Sequence, residues 1–267
     1  MLKLASWNVN SLRVRLEHLG QWLALERPDI LGLQETKLTD DKFPVEEIRA
    51  LGYHCVFSGQ PSYNGVAILA KASRFQTIEE WSCEEPRLPG DQKRFIAATL
   101  KTLEGETQIR FINLYVPNGS EVGSEKYSYK LQWLDALRLR LQEEQASHSL
   151  VSVVGDFNIA PADIDVHDPE AWHDKILCSK PERQRFHDLL SLGFTDSFRA
   201  KTGPENQAFS WWDYRQAGFR RNQGLRIDHL LISDALMKLC DQVSIDRTPR
   251  GWEKPSDHAP ALASFNL

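Results

Sequence analysis

The sequence predicts an α/β fold in which two packed, mostly antiparallel β-sheets carry helices on their outer faces. Three observations predict it. Many short apolar strands lie close together along the chain, and Arg94–Leu103 with Gln108–Val116 looks like an antiparallel pair. Long amphipathic helices are too few to alternate with every strand, which excludes a simple doubly wound parallel sheet. Several apolar strands also stop abruptly in Asn, Glu, Asp or His, the pattern of a rigid edge on which chemistry is built.

The elements follow in order. Leu2–Asn8 is an apolar strand, and Ser11 to Glu26 has helical spacing through Leu12, Leu16, Leu19, Trp22 and Leu23, closed by Pro28. Asp29–Gln34 reads as a buried strand, Pro44–Leu51 as a short helix, and Tyr53–Phe57 and Gly65–Ala70 as strands. Arg94–Leu103 and Gln108–Val116 pair around Leu103-Glu104-Gly105-Glu106. Ser124–Ser147 is a long amphipathic helix, Leu150–Val154 a buried strand and Glu182–Leu192 a helix. Ile227–Ile232, Val243–Asp246 and Ala261–Phe265 complete the strands.

Composition narrows the class. With 267 residues, 41% hydrophobic and 26% charged, the chain is of ordinary folded composition, which excludes disorder. No Gly/Ser linker or repeat divides it, so residues 1–267 are expected to form one domain. No apolar run approaches the ~18 residues of a membrane span. The start, Met1-Leu2-Lys3-Leu4, reads as a strand and not as a leader, so a cytoplasmic protein with no membrane partner is expected. Cys55, Cys83, Cys178 and Cys240 are scattered without a CxxC pair, which points to free thiols and against disulfides or zinc. The net charge of −5 argues against a globally basic nucleic-acid binder but leaves room for a local basic surface.

The polar strand ends form a specific set. Asn8 and Asn10 follow the first strand, Glu35 the second, and Asp156 and Asn158 lie in Gly155-Asp156-Phe157-Asn158. Asp228 opens a later strand, and Asp257-His258 precede the last. Glu35, Asp156, Asp228 and Asp257 repel one another if brought together, and a hard divalent cation relieves that repulsion. Carboxylates, amides, one His and no Cys favour Mg²⁺ or Mn²⁺ over zinc. The chemistry suggested is metal-assisted hydrolysis of a phosphate ester.

At this point the chain resembles the exonuclease III family of DNA-repair nucleases, within the DNase I-like superfamily. The matching stretches are Ser6-Trp7-Asn8-Val9-Asn10-Ser11-Leu12-Arg13, Leu33-Gln34-Glu35-Thr36-Lys37, Tyr63-Asn64-Gly65-Val66-Ala67 and Asn113-Leu114-Tyr115-Val116-Pro117-Asn118-Gly119. They continue with Gly155-Asp156-Phe157-Asn158-Ile159-Ala160-Pro161, Ser210-Trp211-Trp212-Asp213-Tyr214-Arg215, Leu225-Arg226-Ile227-Asp228 and Glu253-Lys254-Pro255-Ser256-Asp257-His258-Ala259-Pro260. They run in family order over essentially the whole chain. The Gly-Asp-Phe-Asn and Ser-Asp-His elements alone also suit inositol-phosphate phosphatases and sphingomyelinases.

The resemblance implies a four-layer sandwich of two mostly antiparallel β-sheets flanked by helices. It implies Mg²⁺-dependent cleavage 5′ to abasic sites in duplex DNA, with Mn²⁺ as a substitute metal. It also implies 3′→5′ exonuclease activity and removal of 3′-phosphate or 3′-phosphoglycolate blocks. The partner is then duplex DNA with abasic sites or blocked 3′ ends, and a monomer is expected. Glu35 corresponds to the principal metal ligand, with Asn8 and Asp257 close by; Asp156, Asn158 and His258 also count in the metal set. The catalytic set is Tyr115, Asp156, Asn158, Asp228 and His258: Asp156 deprotonates or orients the attacking water, Asn158 holds it or the phosphate, His258 bonds the phosphate and Asp228 holds the imidazole. Tyr115 donates to the phosphate or the leaving oxygen. Asp156, Tyr115 and His258 all stay open as the base, and a second metal near Asp156 and Asn158 stays open too.

Substrate contacts carried over are Asn10, Arg94, Asn118, Lys126 and Lys130, with Trp211 packing on the target sugar. Lys126 and Lys130 share a helix face at spacing four. Arg215, Arg220, Arg221 and Arg226 form a local basic segment suited to duplex phosphates. The loop Ala162–Pro169 departs from some relatives by placing the bulky His167 near the abasic pocket. The alternative function is therefore a specialised 3′→5′ exonuclease and 3′-phosphatase with little or no abasic-site cleavage.

Overall fold

The computed structural model describes residues 1–267. Two six-stranded sheets lie face to face. The first has strand order β13(Cys240–Ile245), β14(Ala261–Phe265), β1(Leu2–Asn8), β2(Ile30–Gln34), β4(Val66–Lys71), β3(Tyr53–Ser58). The second has order β5(Trp81–Ser82), β6(Phe95–Lys101), β7(Gln108–Tyr115), β8(Val151–Asp156), β12(Asp228–Ser233), β9(Phe194–Asp196). Within each sheet one central pair is parallel, β1 with β2 and β7 with β8, and every other pair is antiparallel. A parallel pair needs a long crossover, and helices α1(Leu12–Glu26) and α3(Glu125–Ser147) supply the two. A two-stranded ribbon, β10(Trp211–Trp212) with β11(Gly224–Leu225), lies apart.

Side-chain alternation builds the four layers. Leu2 and Leu4 of β1 face the second sheet with Ile68, Ile96, Phe111 and Val154, while Ala5 and Trp7 face out under α1 against Leu19 and Trp22. On the far side, Trp133, Leu137 and Leu141 of α3 and Phe186 of α5(Lys180–Leu190) cover Ile112, Val151 and Val153. One polar residue bridges the inter-sheet core. Asn113 of β7 donates to Leu33 O (2.8 Å) and Ala67 O (2.9 Å) and accepts from Gln34 Nε2 (2.6 Å). That bridge explains Gly32, where a Cβ would sit 2.8 Å from the Asn113 side chain.

The long elements lie within a few residues of their expected bounds. The sequence reading missed β5, β9, β10 and β11 and the short helices α4(Pro169–Trp172), α6(Ser197–Thr202) and α7(Asp234–Met237). Two to six residues are too few to show a period. Helix α5 starts earlier than expected, at Lys180, because Pro181 fits its first turn and Glu182, the next residue, accepts from Ser179 N (3.1 Å) and Ser179 Oγ (2.6 Å) at the helix start. Helix α2(Val45–Ala50) matches its expected place. No helix is long and apolar enough to cross a membrane. The four cysteines carry no disulfide.

Candidate active site

Topology brings the polar strand ends together. Because β1 and β2 are parallel, Asn8 and the Gln34-Glu35 junction reach the same edge in register. Because β7 and β8 are parallel, Tyr115 and Asp156 do the same in the second sheet. Strand β12 runs antiparallel to β8, so its first residue, Asp228, lies opposite Asp156. Strand β14 runs antiparallel to β1, so the Asp257-His258 segment before it arrives at that edge as well. One edge therefore collects residues more than 200 positions apart in the chain.

Backbone geometry then aims the side chains. Glu35 (φ 52°), Asn158 (φ 51°) and Asn10 (φ 44°) all sit in the left-handed region, a cost of about 1–3 kcal/mol each that surrounding structure must hold. The Glu35 turn is held from three sides: Ser11 N donates to Glu35 O (2.8 Å), and Thr36 N and Lys37 N donate to Gly65 O and Asn64 O. Gly65 is required there, since a Cβ would meet Thr36 Oγ1 at 2.1 Å.

Glu35, Asp156 and His258 each present a donor atom such that all three lie within 4.8 Å of one another. Asn8 Nδ2 donates to both Glu35 Oε1 (2.9 Å) and Asp156 Oδ2 (2.9 Å). His258 Nδ1 bonds Asp228 Oδ2 at 2.9 Å, and its Nε2 lies 3.7 Å from Asp156 Oδ2. Ser210 Oγ donates to the same Asp228 oxygen at 2.6 Å, leaving Asp228 Oδ1 buried without a partner. Burial opposes charge on His258, but Asp228 and Asp156 outweigh it and push its pKa up to about 10. Burial pushes Asp156 up to about 7, against the pull of the His258 cation and with the help of Asp228 and Glu35. Burial, followed by Glu35 and Asp156, holds the Tyr115 phenol well above its ordinary range.

The buried Asp156 and Asp228 and the half-buried Glu35 thus share one edge with a demand for positive charge. Lys37 answers part of it, 2.9 Å from Glu35 Oε2. The oxygen-rich donor set and the raised Asp156 fit a hard divalent cation at Glu35 and Asp156.

The remaining expected residues take these places. Asp257 is not in the three-residue cluster: Asn10 Nδ2 (2.9 Å) and Trp211 Nε1 (3.0 Å) occupy its two oxygens. Asn158 donates its backbone N–H to Asp156 Oδ1 (2.9 Å), while its amide is taken by Val116 O (3.0 Å) and Asn118 Nδ2 (3.1 Å). Arg94 stacks 4.5 Å over the Tyr115 ring and lines a cavity of about 460 Å³ with Glu35, Asn118 and the exposed Lys126. Trp211 lines a second cavity, of about 430 Å³, with His167, Trp172 and Arg215. Arg220 and Arg221 are exposed.

Two expected phosphate contacts are corrected. Lys130 is fully buried and bonded to Glu182, Asn118 O and Asn158 O. Arg226 is buried between Asp165 and Asp196, so it belongs to the scaffold and not to the basic segment. Arg215 is tied to Asp213. The sequence reading also gave no role to Ser210, Lys37 or Arg15. Arg15 donates to Pro255 O (3.0 Å) and so holds the segment before Asp257. Lys37 alone had a local signal, its place two residues after Glu35; the other two contacts span 18 and 240 residues.

Comparison with known proteins agrees with this geometry. The model of the endonuclease/exonuclease/phosphatase family matches residues 5–258. Exodeoxyribonuclease III of Haemophilus influenzae is 37% identical over 280 residues, spanning 99% of this chain and 100% of that protein. A solved 3′ phosphatase from Neisseria, bound to a product DNA hairpin, is 47% identical with TM-score 0.93, and the match covers 100% of both chains. An AP endonuclease from Archaeoglobus fulgidus is 39% identical with TM-score 0.89, again over 100% of both chains. The residue pattern, the paired sheets and the shared edge of carboxylates thus have one common source: this chain belongs to the endonuclease/exonuclease/phosphatase family, within its exodeoxyribonuclease III group of nucleases.

Proposed function

We propose that this chain is a Mg²⁺-dependent DNA-repair phosphodiesterase that cleaves 5′ to abasic sites in duplex DNA and also processes 3′ ends as exonuclease and 3′-phosphatase. The observation that carries the reading is the buried line Asp228–His258–Asp156, ending within 4.8 Å of Glu35. The relatives named as an exodeoxyribonuclease, a 3′ phosphatase and an AP endonuclease support it. We read residues 1–267 as one domain, active as a monomer in the cytoplasm.

The roles follow from the protonation states. Asp228 holds Nδ1 of His258, so the cationic imidazole presents Nε2–H to a scissile phosphate. Asp228 occupies Nδ1 and leaves Nε2 of His258 for the phosphate. Asp156, ionised when a cation is bound beside it, takes or orients the proton of the attacking water. Asn158 is locked beside it, and the protonated Tyr115 phenol donates to the phosphate or leaving oxygen. Glu35 and Asp156 are the metal ligands in this reading, with Asn8 orienting both and Asp257 close by. The divalent cation, when bound, neutralises charge on the phosphate and leaving oxygens. Arg94, Asn10, Asn118, Lys126 and Arg221 contact DNA, and Trp211 packs on the target sugar.

A second reading has its own observation. His167 stands in the Trp211 cavity, its Nδ1 3.2 Å from Gly224 O and its ring edge-on to Trp172. So placed, it obstructs a flipped abasic sugar and favours 3′-end processing.

One experiment tests both. Labelled duplexes carry an internal tetrahydrofuran abasic analogue, a recessed 3′-hydroxyl, or a 3′-phosphate at a nick, each with Mg²⁺ and with EDTA. Incision of the internal analogue by wild type, lost in EDTA, is the expected result. Processing of 3′ ends alone, with incision appearing in His167→Gly, replaces it with the second reading. No Mg²⁺-dependent cleavage of any duplex overturns both.

A further inference from the structure

The side chain of Lys130 is fully buried, and it is the only link that touches both loops carrying Asn118 and Asn158 as well as helix α5. An ammonium has three N–H donors. Here three acceptors meet them: Asn118 O (3.1 Å), Asn158 O (2.7 Å) and the Glu182 carboxylate.

Each acceptor has a reason to need Lys130. Asn158 is left-handed, so its carbonyl points away from the strand path and has no ladder partner. Asn118 precedes Gly119, whose missing Cβ leaves room for the Lys130 stem: a Cβ there would lie 3.0 Å from Lys130 Cδ. The side chains of Asn118 and Asn158 are bonded to each other at 3.1 Å. The ammonium therefore closes a ring of two backbone carbonyls and two amides directly behind Asp156, whose Oδ1 accepts from Asn158 N. Glu182 is itself held, accepting from Leu177 N, Ser179 N and Ser179 Oγ.

We infer that Lys130 is a positioning residue for catalysis: it fixes the Asn118 and Asn158 loops relative to each other, so that Asp156 and Asn158 meet the substrate in one geometry. The inference rests on the phosphodiesterase reading above. Burial keeps Lys130 from any DNA phosphate, so its loss acts mainly on turnover, and on binding only through the single contact made by Asn118.

The test separates anchoring of the loops from mere support of the fold. Three variants are compared with wild type: Lys130→Met, Glu182→Gln, and the two together. The single Lys130→Met strands a buried carboxylate and is expected to lose stability. Glu182→Gln removes the buried counter-charge and is also expected to lose stability, but it leaves the Lys130 nitrogen, charged or as a neutral amine with two N–H groups, on both loop carbonyls. The double variant removes both charges and recovers melting temperature relative to Lys130→Met. Turnover is measured on the nicked 3′-phosphate duplex with Mg²⁺, and duplex affinity is measured in EDTA.

Expected are a fall in kcat of about 10–100-fold in Lys130→Met and in the double variant, with KM and EDTA affinity within about threefold of wild type. Glu182→Gln keeps near-normal kcat. A double variant that folds and turns over within twofold of wild type overturns the inference. So does Glu182→Gln losing as much kcat as Lys130→Met, which makes the contact purely structural, or a loss carried by KM and affinity. Wild-type protein inactive on this duplex and on the tetrahydrofuran duplex sinks the phosphodiesterase reading instead.

Discussion

His258 must hold a positive charge in a place that strips it of water. A buried imidazole left alone becomes neutral, yet two carboxylates surround this one and keep it protonated. Asp228 is the nearer and stronger of them, which makes it the residue on which the charge state of His258 depends. Asp228→Asn keeps the shape and removes that support. The expected result is a loss of about 10²–10⁴-fold in kcat with KM little changed, read by single-turnover cleavage of a 3′-phosphate duplex. Its sign with pH is also set. In the proposed mechanism His258 acts while protonated, so lowering its pKa makes activity fall at lower pH than in wild type as pH rises. A variant within tenfold of wild type, with the same alkaline limb, removes His258 as the charged phosphate ligand.

At the scale of elements, the active edge depends on how β8 ends. Gly155 has φ 147°, and a Cβ on it would sit 2.0 Å from Leu114 O in β7. The clash is with backbone, which cannot swing away, in the strand pair that places Tyr115 opposite Asp156. Gly52 is also at positive φ, 88°, but a Cβ there meets nothing within 4 Å. Gly155→Ala is expected to cost at least 3 kcal/mol in urea unfolding, and Gly52→Ala about 1 kcal/mol. Equal costs would mean that backbone strain alone, and not the close approach of β7, demands glycine at position 155.

At the scale of the whole molecule, a buried polar network ties the loop after Asn158 to the second sheet. Arg226 pairs with Asp165 (2.7 Å) and Asp196 (2.7 Å) and donates to His229 Nδ1 (3.0 Å). His229 passes the connection on through Nε2, 2.9 Å from Ile159 O. That pattern demands a neutral imidazole, with Nδ1 accepting and Nε2 donating. Burial, then the Arg226 cation, accordingly pushes its pKa down to about 4. The unfolded chain protonates this residue near ~6.5. Its contribution to stability is therefore complete above that value and is lost as pH falls from about 6.5 toward 4. Melting temperatures of wild type and His229→Gln are expected to converge from pH 7 to pH 5. A gap that stays constant across that range means that His229 is not held neutral.

Much of this was legible in the chain itself. Alternation and helical spacing placed the long strands and helices, and polar residues at strand ends marked Asn8, Glu35, Asp156, Asp228 and His258 without reference to any contact. The family motifs reinforced the same positions. What local sequence could not carry was partnership over distance. Lys126 and Lys130 look alike four residues apart on one helix, yet one is exposed and the other fully buried against Glu182. Arg226 looks like Arg220 and Arg221, yet two acids far off in sequence take it inside. Short elements such as β9 and β10 exist because a neighbouring strand completes their hydrogen bonds, a condition set by the sheet and not by two or three residues. The amino-acid order alone thus determined the layers, the edge and the chemistry displayed on it. Only the tertiary structure decided which charges stay exposed and which hold the scaffold, because burial and pairing depend on what lies across the fold.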